Sequence, residues 1–153
     1  MISRPGGAVI GLIQRVSRAS VTIEGKQAAS IDQGLLALVG IEKHDTEQIA
    51  DRLLERMLNY RVFADDEGKM NLSLRDIEAG LLLVPQFTLV ADTSKGNRPG
   101  FSNGAPPDRG NALFDYLLVK ASRQHDRVGS GVFGADMKVE LLNDGPVTFW
   151  LQV

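Results

Sequence analysis

The 153-residue chain contains no cysteine and only two histidines. The first absence excludes disulfides, thiolate metal sites and a cysteine nucleophile together. Neither His44 nor His125 has another histidine or a carboxylate at ligand spacing, and zinc wants three or four N, S or O ligands. Both histidines read as exposed polar residues beside helix ends, and neither a metal nor a cofactor is expected. Aromatic residues are scarce at 6%, with no aromatic-rich strand of the kind that stacks RNA bases. No apolar run approaches the ~20 residues of a membrane span. Net charge is only −2, so bulk electrostatics do not mark a nucleic-acid binder.

What is present is an ordinary globular composition, 43% hydrophobic and 24% charged, of a length that suits one domain. Residues 1–8 carry no apolar targeting core and read as a flexible extension before a domain at 9–153, with Val9 a possible alternative start. With no cysteine and no signal peptide, the expected location is the cytoplasm.

"VIGLIQRVSRASVTIEG" reads as two strands, Gly25 as a turn, "QAASI" as the returning strand and "LLALVGI" as a buried one. "HDTEQIADRLLERMLNY" switches to helical spacing, with Asp45 as the expected N-cap and Gln48 completing a capping box. "RVFAD" returns to strand, "DDEGK" is a turn, and "AGLLLVPQFTLV" reads as a core strand interrupted by Pro85. A long loop from Ala91 to about Pro107 follows, of a length that often carries function. Pro107 and Asp108 open a second helix with an apolar stripe of Leu113, Phe114, Leu117, Leu118 and Ala121. Glycine-separated strands end the chain. The expected architecture is one mixed α/β domain with two helices and many strands.

Few residues offer side-chain chemistry. No Gly-x-Ser-x-Gly elbow is present, and "GSGVFG" lacks the Lys-Ser/Thr of a phosphate loop. Thr88 is a nucleophile only with a base beside it, and the sequence names none, so packing or hydrogen bonding is favoured. Gly145–Pro146 reads by default as a turn, although an X–Pro bond can also be cis, with glycine leaving space against a ligand. Lys95, Arg98 and Arg109 gather in one loop region near only Asp92 and Asp108, a solvated loop or a local basic face.

"LIQRVSRASV", "KMNLSL", "VPQFTLVADTSKGNRPGF", "FGADMKV" and "NDGPVTFWL" together resemble the D-aminoacyl-tRNA deacylases, from about Val9 to Val153. The resemblance implies mixed sheets forming a partly open barrel flanked by two helices, and a homodimer with its active site at the interface. It implies hydrolysis of the ester of D-aminoacyl-tRNA, and of glycine mischarged onto alanine tRNA. The implied partners are tRNA and a second copy, with no DNA and no membrane.

Residue by residue, Gln86, Phe87 and Thr88 match the catalytic Ser-Gln-Phe-Thr-Leu block, with Pro85 in place of its serine. Gly145 and Pro146 match a cis Gly-Pro pair that reaches into the neighbouring subunit and rejects L-side chains by clash. Arg15 matches the arginine that holds this pair, and Phe133 and Gly134 match residues receiving the aminoacyl group and terminal adenosine. The 2′-hydroxyl of the tRNA would assist attack of water, the protein supplying position and backbone N–H groups, while Thr88 as nucleophile is the older alternative. Lys95 and Arg98 would lie where tRNA phosphates approach. Two other readings stay open from the residues alone: a non-catalytic RNA-binding module and a hydrolase of free D-amino-acid esters.

Overall fold

A computed structural model describes residues 9–153. The expected extension at 1–8 lies outside the described residues. The chain runs β1 (Ile10–Ile23), β2 (Lys26–Ile31), β3 (Gly34–Gly40), α1 (Glu47–Asn59), β4 (Phe63–Ala64), β5 (Met70–Leu72), α2 (Leu74–Ile77), β6 (Gly80–Pro85), a 3-10 turn (Phe87–Val90), α3 (Pro107–Gln124), β7 (Val128–Ser130) and β8 (Lys138–Gln152). The two long helices are where periodicity places them, and α2 adds a single turn.

β1 is the spine of the main sheet. It pairs antiparallel with β8 from Ile10 to Thr22, with β3 from Ile10 to Val16, and with β2 from Ala19 to Ile23. A strand has two edges, so β3 and β2 follow each other along one edge while β8 takes the other. This is why "VIGLIQRVSRASVTIEG" is one long strand rather than two: β8 carries it through irregularities at Gln14–Val16 and Val16–Arg18 without a break. β6 lies parallel to β3 and β7, and each parallel step is bridged by helix, as parallel pairs require. The sheet curls into a mixed, nearly closed barrel. β2 folds over β6 and β7 so closely that a methyl group on Gly129 would meet the Ala29 side chain and one on Gly80 would meet Ile31.

The apolar runs are explained by burial on both faces. Leu35, Ala37 and Val39 of β3 and Leu81 and Leu83 of β6 join α1 and α3 in one core, with Leu53, Met57, Phe114 and Leu117. Their alternates Leu36, Leu82 and Val84 join Val16, Ala19 and Val21 in a second core inside the barrel.

Three local expectations are corrected. Thr46, not Asp45, caps α1, its Oγ1 accepting the Ile49 N–H at 3.3 Å. Asp45 is fully buried, and its Oδ2 accepts the Glu42 N–H at 2.6 Å. His125 is buried rather than exposed, because its Nε2 bonds the Ala79 carbonyl and ties the end of α3 to the start of β6. The strand read through "VPQFTLV" ends at Pro85, and Phe87–Val90 coil into the 3-10 turn.

Candidate active site

The end of β6 follows from the direction of its backbone groups. Leu81 N–H donates to Arg127 and Leu83 O accepts from Gly131, so odd-numbered residues face β7, while Gln86 N–H donates to Val39 on the β3 side. Pro85 faces the β7 side, where pairing stops after Leu83–Ser130, and its missing N–H leaves no broken ladder bond. Beyond it, Gln86 Nε2 donates to the Thr88 hydroxyl. That hydroxyl is exposed, and its partner is an amide donor rather than a base, which does not raise its nucleophilicity.

Phe87 projects outward, 64% exposed, and packs at 5.4 Å between ring centroids against Phe101, itself 45% exposed. These two rings, Phe133, Val90 and Gly104 line an apolar hollow of about 80 Å³. Phe133 is brought there by the turn Val132–Ala135, closed by Ala135 N–H to Val132 O at 3.2 Å, with Gly134 at φ +80°. Its ring seats on Gly110 in the first turn of α3, where a methyl group would lie 2.9 Å from Cζ. The structure thus unites Phe87 with Phe133 and adds Phe101 and Gly110, which sequence reasoning missed. An aromatic in the long polar loop was the available signal for Phe101.

The basic loop borders this hollow. Its two limbs are fastened by reciprocal bonds between Asp92 and Gly100 at 2.7 and 2.9 Å, and its return limb is tied to Ile41 and Lys43. Lys95 and Arg98 are exposed on the excursion between the bonded limbs. The Ser94 hydroxyl and amide hold the Asp92 carboxyl below the usual carboxylate range, so it stays charged beside Lys95. Arg109, in the first turn of α3, is exposed and its guanidinium donates to the Asp45 carbonyl.

Gly145 and Pro146 lie elsewhere. Gln14 pairs with Thr148 and Val16 with Asn143, so residues 144–147 of β8 bulge opposite Arg15 alone. The Gly145–Pro146 bond is cis, both residues are exposed, and Gly145 has φ +142°, a conformation side chains rarely adopt. Arg15 clamps the bulge: Nε donates to Asp144 O at 2.9 Å, while the same guanidinium donates to Val62 O at 2.7 Å. Arg15 and Asp144 line a cleft separate from the aromatic hollow, with Gln33, Phe63, Ala64 and Ile77. Arg15 is level with Leu35 and Leu35 with Leu81, whereas Pro85 ends the strand four residues on, ~13 Å away at ~3.3 Å per residue. One chain therefore does not bring Gly145–Pro146 to Gln86–Thr88 and Phe133.

Among the described residues, no group of three or more His, Asp or Glu side chains could hold a metal ion, and no helix is long and apolar enough to cross a membrane.

Residues 12–152 match a protein family described as D-Tyr-tRNA(Tyr) deacylase. The chain is 62% identical over 142 residues to a D-aminoacyl-tRNA deacylase of Pseudomonas fluorescens (strain SBW25), covering 93% of this chain and 98% of that protein. It is 61% identical over 143 residues to a D-aminoacyl-tRNA deacylase of Pseudomonas putida (strain W619), covering 94% and 99%. Among solved structures it is similar to a c-Myc DNA unwinding element binding protein, with a TM-score of 0.89 and 36% identity over 93% of this chain and 97% of that one. A structure described as a probable eukaryotic D-amino acid tRNA deacylase shares the fold at a TM-score of 0.83 and 19% identity, over 95% and 100% of the two chains. With nearly the whole barrel matched, from β1 to the end of β8, the chain belongs to the D-Tyr-tRNA(Tyr) deacylase family.

Proposed function

We propose that this chain hydrolyses the ester bond of D-aminoacyl-tRNA, releasing tRNA and the free D-amino acid, and acts likewise on glycine mischarged onto alanine tRNA. The observation that carries the reading is the division of the site. An aromatic hollow stands at the end of β6, and an exposed, clamped Gly145–Pro146 bulge stands on β8, away from that hollow. A second copy completes the site by presenting its bulge to the first copy's hollow. The outer edge of β8 suits such a pairing: among the described residues it has β1 as its one strand partner, and the strand exposes Leu142, Phe149 and Trp150.

In this reading the terminal adenosine lies against Phe87, Phe101 and Phe133, where a base has π-faces to meet, with Gly134 beside the aminoacyl group. Lys95 and Arg98 meet the phosphates. The 2′-hydroxyl of the ribose assists a water whose oxygen attacks the ester carbonyl carbon. The carbonyl oxygen gathers negative charge near the backbone N–H groups of Phe87 and Thr88, then the ester bond to ribose breaks and the ribose oxygen takes up a proton. Gly145 and Pro146, held by Arg15, form a backbone wall that an L-side chain strikes and a D-side chain avoids. Glycine presents nothing to strike, so specificity comes from exclusion.

The test is hydrolysis of matched D-tyrosyl-, L-tyrosyl- and glycyl-tRNA, repeated with tRNA lacking the terminal 2′-hydroxyl. Release of D-tyrosine and glycine with L-tyrosyl-tRNA intact, lost without the 2′-hydroxyl, is the expected result. Equal hydrolysis of D and L substrates would overturn the wall, and indifference to the 2′-hydroxyl would point to a general esterase.

A further inference from the structure

The Arg15 clamp hydrogen-bonds one limb of the bulge, at Asp144, and its Nη2 lies beside Gly145, 3.2 Å from where a methyl group there would sit. The other limb is fixed by a side chain at the bulge's own base. Asn143 Oδ1 accepts the Val147 N–H at 2.8 Å, and its Nδ2 donates to Thr148 Oγ1 at 3.0 Å. Asn143 and Thr148 are the last residues in register with β1 on either side of the bulge, opposite Val16 and Gln14. The amide thus closes the loop across its neck. Val147 is buried at 8% exposure, so its N–H would lose its partner without Asn143. Val147 in turn confines Gly145: a methyl group on Gly145 would lie 2.6 Å from Val147 Cγ2 and 2.9 Å from Val147 N.

We infer that Asn143 is a positioning residue for chiral discrimination, setting Gly145 through Val147 while Arg15 sets it through Asp144. The inference rests on the reading of Gly145–Pro146 as the wall. Its chemistry is specific to an acceptor at this position. An aspartate keeps an oxygen for the Val147 N–H and can take a hydrogen bond from the Thr148 hydroxyl, whereas alanine keeps neither.

The experiment measures the ratio of D- to L-tyrosyl-tRNA hydrolysis for the full chain and for Asn143→Ala, Asn143→Asp and Arg15→Ala, with folding followed by circular dichroism. Asn143→Ala should lower the ratio about tenfold, the scale of one lost buried hydrogen bond, mainly through faster L-tyrosyl-tRNA hydrolysis. Asn143→Asp should recover most of it, which loss of stability alone would not produce. A folded Asn143→Ala with an unchanged ratio, beside a lowered ratio in Arg15→Ala, overturns the role of Asn143 and leaves the wall standing. Unchanged ratios in both variants overturn the wall together with it. If Asn143→Ala does not fold, Asn143→Gln, which moves the same amide outward by one methylene, should shift the ratio in the same direction, and an unshifted ratio overturns the inference.

Discussion

Arg15 and Asp144 meet across the β1–β8 ladder, Nε to carbonyl oxygen at 2.9 Å, at the first of the two places where the strands lose register. The contact matters because the same guanidinium reaches Val62 O at 2.7 Å and thereby joins the bulge to the segment before β4. A planar fork serves two carbonyls in this way; a lysine ammonium does not share its geometry.

Arg15→Ala should therefore destabilise the fold by about 2 kcal/mol, with Arg15→Lys recovering less than half, since hydrogen bonds from a charged donor are the stronger kind. Thermal unfolding checks this, and an Arg15→Lys variant that melts with the wild-type protein would contradict it.

Gly110→Ala places a methyl group 2.9 Å from the Phe133 ring tip. Alanine favours the helix by about 1 kcal/mol, so global stability should hold or rise slightly, while Phe133 is pushed into the hollow. KM for D-aminoacyl-tRNA should rise about three- to tenfold with a smaller change in kcat. Unaltered KM would remove Phe133 from substrate binding.

Thr88→Ala should retain turnover within about tenfold, because the hydroxyl has an amide donor and no base beside it. Loss of activity by several orders of magnitude, with acyl-enzyme trapped on the wild-type protein, would restore Thr88 as the nucleophile.

Asp76 and Ser73 form a reciprocal cap on α2: Asp76 Oδ2 accepts the Ser73 N–H at 2.8 Å and Ser73 Oγ accepts the Asp76 N–H at 3.2 Å. The Ser73 backbone bond, then its hydroxyl, hold the Asp76 carboxyl below its usual 3.8. A depressed folded value means the stabilisation is present above about pH 3.8 and fades as pH falls through the folded pKa. Asp76→Asn should flatten this part of the acid limb below pH 3.8 and leave the neutral-to-alkaline slope unchanged, as read from urea midpoints across pH.

Reversing both charges in Lys95→Glu/Arg98→Glu should weaken tRNA binding and reduce the slope of log K against log salt by up to about two. The same slope in both proteins would take the loop out of the tRNA footprint.

Much of this arrangement was legible in the sequence, and the exceptions share a cause. Helical spacing located α1 and α3 because their buried stripes are continuous, and the apolar runs of β3 and β6 announced strands covered on both faces. What failed depended on a distant partner. β1 reads as two strands until β8 is known to run beside it. His125 reads as exposed until Ala79 comes within reach, and Asp45 reads as a cap until the Glu42 amide claims it. Phe101 and Gly110 join the hollow only because α3 and the long loop converge on Phe133.

The distance along the strands between the Gly145–Pro146 bulge and the aromatic hollow has a genetic consequence. In a paired site each copy lends its bulge and receives its partner's. Two inactive versions of the chain, one damaged at Gly145 and the other at Phe133, would then complement each other. Half of a randomly mixed population of dimers would be hybrids, each with one damaged site and one built wholly from sound parts. A cell carrying both alleles would recover an activity that neither allele supplies.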